Sequence, residues 1–236
     1  MTRGNRAQGG GTVLHACWAA KGGSGTTVVA VALARLMSQS GSTVIADLAG
    51  DVPAALGVTE PAGPALADWM RAGPDVPLDA LHRIEVEVGE GLRLLPRGDG
   101  PLPAERGEAL VAALGASGRS VVVDCGTVIA GGQSGSTAPL NVAAAASQSL
   151  LVIRPCYLAL RRALAAACTP TGVVLVHEPG RAMNRSDIED VLGVPVVAEV
   201  PFEPAIARAV DAGLLGSRLP RPLTRPFASG LLLTSA

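Results

Sequence analysis

The chain has 236 residues, 48% of them hydrophobic and only 2% aromatic, so it can bury a full core built of Val, Leu, Ile and Ala rather than of rings. Its net charge of −1 gives no global attraction to nucleic acid or to an acidic membrane, which argues against DNA binding. No apolar run reaches the ~20 residues that span a bilayer. Its cysteines, Cys17, Cys125, Cys156 and Cys168, lack C-x-x-C spacing and point to buried, inert thiols in a reducing, cytoplasmic setting.

In chain order, residues 1–11 are polar and glycine-rich and predict a flexible tail without a signal sequence. "TVLHACWA" (12–19) predicts a strand, and "TTVVAVALARLMSQSG" predicts a helix over 27–40, because its apolar positions form a stripe and Gly41 supplies a stop. "STVIAD" (42–47) predicts the next strand. Residues 50–78, rich in Pro and Gly, predict a surface loop with one short helix over 65–71. Further strands are predicted over 91–96, 120–125, 149–155, 172–178 and 194–201, with helices over 102–117, 156–168, 186–192 and 203–213. A second surface loop is predicted over the Gly/Ser-rich stretch 126–139. The remainder, 215–236, carries three prolines and predicts a tail lying on the surface or against a partner. Strands that alternate with helices predict an α/β fold: a single domain over 12–214, with a doubly wound, mainly parallel sheet and helices on both faces.

"AAKGGSGTTV" (19–28) carries the chemistry. Lys21 is the only lysine among 19 basic residues, so that position holds something arginine does not replace. Strand, glycine-rich loop, then helix is the context of a phosphate loop, in which glycines let backbone N–H groups converge on an anion and the helix N-terminus adds a favourable field. Candidate nucleotide-binding residues are therefore Lys21, Gly22, Gly23, Ser24, Gly25, Thr26 and Thr27. The Thr27 hydroxyl is the candidate Mg²⁺ ligand. Asp124, ending the apolar run "VVVDC", is the candidate second metal residue. His15, His82 and His177 show no ligand spacing and read as structural.

The loop resembles the deviant Walker A motif K-G-G-x-G-K-[ST] of the ParA/MinD-type P-loop ATPases. That resemblance implies ATP or ADP with Mg²⁺ as cofactor, a homodimer, and a role for Lys21 in trans, at the partner's phosphates. It also identifies Asp124 with the Walker B aspartate. "STVIADLAGD" is similar to the segment that carries D-x-D in the family: Asp47 matches the first Asp and becomes the candidate catalytic residue, whereas Ala49 replaces the second. Thr26 replaces the family's second lysine, the usual cation for the β- and γ-phosphates. Glu178 and Pro179 stand where the family often places an adenine-reading Asn, and "VPFEPAIARAVDAG" (200–213) is similar to its P-x-[DE] segment.

These departures look most like the degenerate TadZ/CpaE or septum-site-determining branch. The function they imply is polar or septal positioning or scaffolding, including Tad-type pilus assembly, with weak or absent ATP hydrolysis. Its partner would be a protein at the pole, the septum or the pilus machinery. The alternative is an active, nucleotide-switched ParA-like ATPase for chromosome or plasmid partition, with arginines such as Arg161 and Arg162 contacting phosphates. Membrane attachment as in MinD would need a basic amphipathic C-terminal helix, which "RLPRPLTRPFASGLLLTSA" does not provide.

Overall fold

The computed structural model describes residues 13–73, 76–77, 79–128 and 137–227; the 1–11 tail, most of the 126–139 loop and residues 228–236 lie outside them. Strand β1 (Leu14–Ala19) is buried at every position and runs through the glycine loop into α1 (Thr26–Met37). Next come β2 (Thr43–Asp47), α2 (Val52–Leu56), α3 (Leu66–Arg71) and α4 (Ala80–Arg83), then the hairpin β3 (Val86–Gly89) and β4 (Leu92–Leu95). The second half runs α5 (Gly107–Gly115), β5 (Ser120–Thr127), α6 (Ala138–Ala145), β6 (Gln148–Ile153), α7 (Tyr157–Leu164) and β7 (Gly172–His177). It closes with α8 (Arg185–Leu192), β8 (Val196–Pro201), α9 (Pro204–Asp211) and α10 (Arg221–Thr224).

The strands form one eight-stranded sheet in the order β3-β4-β2-β5-β1-β6-β7-β8. Every pairing is parallel except β3 with β4. Both faces of the sheet are covered, which is why its inner strands read as nearly continuous apolar runs. Alternation sends Ala16 and Trp18 into one layer, with α3, α5, α6 and α7, and Cys17 into the other, with α1, α2 and α9. Trp18 is fully buried, and its indole N–H donates to Ser149 Oγ at 3.0 Å.

Several features differ from the sequence reading. The 50–78 stretch read as a surface loop with one short helix also holds α2, whose Val52, Ala55 and Leu56 are buried, and α4 follows it unread. The edge strand β3 is half-buried and short, with polar residues interrupting its pattern, and β-signals fade in such segments. Helix α6 begins inside the stretch read as a loop: Thr137 caps it, its hydroxyl accepting from the Leu140 N–H, and Pro139 sits in its first turn. Residues 215–227 are part of the fold, since Leu215, Leu223 and Phe227 are buried in the α1 layer.

One polar cluster is buried at the edge of the sheet. The Glu85 carboxylate, 2% exposed, accepts from Arg93 Nε at 3.0 Å and from Arg119 Nη1 at 2.8 Å, with His82 beside it. Burial pushes its pKa up, but the hydrogen bonds and charges of Arg119 and His82 outweigh this and hold it below the ordinary glutamate value. A lowered folded-state pKa contributes stability that is present above the unfolded value and lost as pH falls through the folded one. Glu85→Gln is therefore expected to cost about 2 kcal/mol at pH 7, because it strands two guanidinium groups. The gap to wild type should narrow as the pH falls below ~4. Urea unfolding at the two pH values measures it; an equal gap at both would show that the charge contributes nothing.

Candidate functional site

The glycine loop leaves the C-terminal end of the central strand, where ligands collect in open α/β sheets. Gly23 (φ 76°) and Gly25 (φ 90°) occupy the left-handed region, so their backbone turn requires glycine whatever the free space around them. Ser24 Oγ donates to the Lys21 carbonyl at 2.8 Å and closes the loop on itself. Gly25 is the N-cap of α1 and provides no side-chain cap, which leaves the first-turn N–H groups of Thr26 to Val28 directed at the space above the loop.

That space is a polar cleft of about 580 Å³, whose walls include Gly23 to Thr27, Ala49, Asp51, Arg97 and Gly126. Asp124, adjacent in the chain to the lining residues Cys125 and Gly126, is fully buried. Its Oδ1 accepts from the Gly126 N–H at 3.0 Å, whereas Oδ2 is buried without a hydrogen-bond partner. Burial pushes the Asp124 pKa up to about 7; Asp47 and Asp51 add to the rise, and the nearby Thr27 hydroxyl and the Gly126 N–H oppose it. A buried, orphaned carboxylate oxygen facing a hydroxyl suits a divalent cation. Among the described residues no group of three or more His, Cys, Asp or Glu could hold a metal. The arrangement therefore fits an ion such as Mg²⁺ that brings most of its oxygen ligands with it, as water and phosphate.

Asp47 pairs in register with Asp124 across β2 and β5. Its carboxylate accepts from three backbone N–H groups, those of Ala49 (2.9 Å), Gly50 (2.6 Å) and Val52 (3.0 Å). Burial is the larger influence and raises its pKa even so. The carboxyl group that the resemblance marks as catalytic is thus committed to shaping the turn into α2. Asp51, on the cleft wall, makes no side-chain cap to α2. Lys21 is half-buried, outside the cleft walls, and without an ion pair among the described residues. The Cys17 and Cys125 thiols are fully buried, and desolvation and the Asp124 charge push both far up, which keeps them inert.

On the opposite side of the loop lies an apolar pocket of about 240 Å³, lined by Val28, Val29, Val176, Val200, Phe202 and Ile206 among others, and by Ser24 and Gly25 of the loop. Arg154 stacks over the Phe202 ring at 4.4 Å and donates to Glu178 at 2.7 Å, so it is engaged internally rather than open to an external phosphate. This pocket escapes a sequence reading because its walls come from four separate elements. The signal that points to it is the apolar spacing of α9, Ile206 and Val210, set beside the ends of β7 and β8. Arg97 is likewise passed over in the sequence: it follows the strand signal "GLRLLP" (91–96) and matches no phosphate-binding motif.

No protein-family profile matches the chain, and no curated protein matches it. Solved structures do. The MinD cell division protein of Aquifex aeolicus superposes with a TM-score of 0.70 at 19% identity, covering 91% of this chain and 93% of its own. The septum site-determining protein MinD of Pyrococcus horikoshii, complexed with Mg-ADP, gives a TM-score of 0.74 at 18% identity, over 92% and 93% of the two chains. A Cyanothece McdA variant in complex with ATP gives 0.73 at 18%, over 95% and 96%. At these identities the likeness is one of architecture. With the parallel sheet, the glycine loop after its central strand and an aspartate at the end of the neighbouring strand, the chain has the fold of the MinD and ParA P-loop ATPases.

Proposed function

We propose that the protein is a degenerate MinD/ParA-like positioning or scaffolding protein, which binds adenine nucleotide with Mg²⁺ and hydrolyses it at or near background. The observation that carries this reading is the loop itself, shared between a polar cleft and an apolar pocket, with no cation at Thr26 and no carboxylate at Ala49. The N–H groups of α1 would receive phosphates, Thr27 and Asp124 would hold the metal, and the apolar pocket would take the base. Mg²⁺, when bound, would neutralise phosphate charge. With Glu178, engaged by Arg154 and Arg181, and Pro179 in the place of the family's Asn, the base would be held by burial rather than read by hydrogen bonds.

Removing one charge-stabilising donor commonly costs ~10²–10³ in rate, and two expected groups are missing here. The output is then self-association and recruitment of a protein partner at a pole, a septum or a Tad-type pilus machine. Lys21 outside its own cleft supports a role in trans. The test is sedimentation of wild type and Lys21→Ala with and without MgATP, alongside a phosphate-release assay. Wild type is expected to dimerise with MgATP and Lys21→Ala to stay monomeric, with turnover at background for both. Lys21→Arg should fail as well, since a planar fork does not replace a compact ammonium at a point contact. Robust Mg²⁺-dependent turnover abolished by Asp124→Ala would overturn the degenerate reading in favour of an active partition ATPase.

A further inference from the structure

We propose that Arg97 is the phosphate-binding cation of the polar cleft, supplied from the end of β4 in place of the charge that Thr26 does not provide. The inference rests on the nucleotide-binding reading above and assigns a residue that neither the glycine loop nor the strand-ending aspartates would indicate.

A polyphosphate entering this cleft meets Asp51 on its wall and approaches the buried Asp124 next to Cys125 and Gly126, while the loop residues that line it offer N–H dipoles but no full positive charge, Lys21 standing outside the walls. Among the described residues that line the cleft, Arg97 carries the only positive charge. Its position is fixed by the sheet. Strand β4 pairs in parallel with β2, Ala46 opposite Leu95, so two residues past that register point Arg97 lies beside Leu48 and the turn that Asp47 organises. Its Nε donates to the Leu48 carbonyl at 3.3 Å, Nη1 to Gly98 O at 2.8 Å and Nη2 to Gly100 O at 3.1 Å. The aliphatic stem runs past Gly50, where a Cβ would stand 3.5 Å from Arg97 Cδ.

These partners are all neutral carbonyls, and Arg97 forms no ion pair among the described residues. Three carbonyl bonds orient the guanidinium without cancelling its charge, and they leave further N–H groups of its fork unused. An oriented, uncompensated guanidinium beside a row of helix N-terminal amides is suited to a phosphate, which it can engage through two parallel N–H donors. The same bonds could instead be a staple between β4 and the β2 turn, serving stability alone. The two roles differ in what they do to ligands with and without phosphate.

The experiment compares wild type, Arg97→Ala, Arg97→Gln and Arg97→Lys by calorimetric titration with MgATP, inorganic tripolyphosphate and adenosine, with a thermal melt of each. The expected result is a loss of about 10- to 100-fold in affinity for MgATP and tripolyphosphate in Arg97→Ala and Arg97→Gln, from the removal of charge-assisted hydrogen bonds. Adenosine affinity should be unchanged, and Arg97→Lys should keep part of the phosphate affinity. If MgATP and adenosine weaken together, in step with a lower melting temperature, Arg97 is a staple and the inference is wrong. Should Arg97→Ala fail to fold, the ratio of MgATP to adenosine affinity in Arg97→Gln and Arg97→Lys decides, and an unchanged ratio refutes the inference. Failure of wild type to bind either MgATP or tripolyphosphate would refute the nucleotide reading and this inference with it. Wild-type binding that every Arg97 variant preserves refutes the inference alone.

Discussion

Asp47→Ala is expected to lower stability by about 3 kcal/mol. The carboxylate satisfies three backbone N–H groups, and each donor left buried without a partner costs about 1–3 kcal/mol. Gly50 is exposed and its amide would recover a bond to water; Val52 is buried and its amide would not. Part of the loss is offset because the substitution also removes a buried charge beside Asp124, whose repulsion raises the pKa of that neighbour. For a chain of this size the change corresponds to a drop of roughly 10 °C in melting temperature. Asp47→Asn should fall in between, since its amide keeps one acceptor oxygen but turns a second donor toward the Val52 N–H. Fluorescence of the buried Trp18 and Trp69 during urea unfolding reports the change. A loss under ~1 kcal/mol would show that the turn holds itself, and would return Asp47 to the catalytic role that the family resemblance implies.

Gly57→Val is expected to be more damaging, at about 4 kcal/mol. Helices α2 and α9 both end in the glycine turn that closes many helices: Val58 N–H donates to Pro53 O at 3.0 Å and Gly57 N–H to Ala54 O, while Leu214 N–H donates to Ala209 O at 2.8 Å and Gly213 N–H to Val210 O. Gly57 (φ 73°) and Gly213 (φ 62°) face one another, and a Cβ on Gly57 would overlap the Gly213 carbonyl oxygen. The left-handed conformation costs a β-branched residue about 1–2 kcal/mol. Forcing the two backbones apart also opens a gap between the helices and weakens the dispersion attraction across it. Chemical denaturation gives the total, and Gly63→Val serves as the comparison, since Gly63 also has positive φ but has nothing within 4 Å of its Cβ position. If both variants lose the same stability, the effect is backbone strain and the close approach of the two glycines is incidental.

Much of the fold is legible in the sequence for one physical reason. Strands covered on both faces must be apolar at successive positions, and "VVVDC", "LLVI" and "VVLV" have no other use for such composition. The same rule hides what it does not govern. Strand β3 has one neighbour and a half-exposed face, so "VEVG" carries too little hydrophobic signal. The prolines at 220, 222 and 226 read as punctuation of a tail, yet Leu223 and Phe227 between them fill the core. The glycine loop is visible because left-handed backbone restricts residue choice so strongly. The role of Asp47 is not, because an aspartate that accepts three amides and one that positions water look alike in a sequence. Arg97 becomes visible only when pairing of β4 with β2 places it at the cleft.

Ser24, Gly25 and Val28 belong to both cavities, and they form a party wall rather than the floor of a single site. Displacing that wall to widen one chamber narrows the other, so the two occupancies are thermodynamically linked without any hinge or domain rotation. Two separate small molecules, one on each side, would then each feel the other through these three shared residues. A single molecule threaded past the wall would experience no such conflict, because it sets both volumes at once.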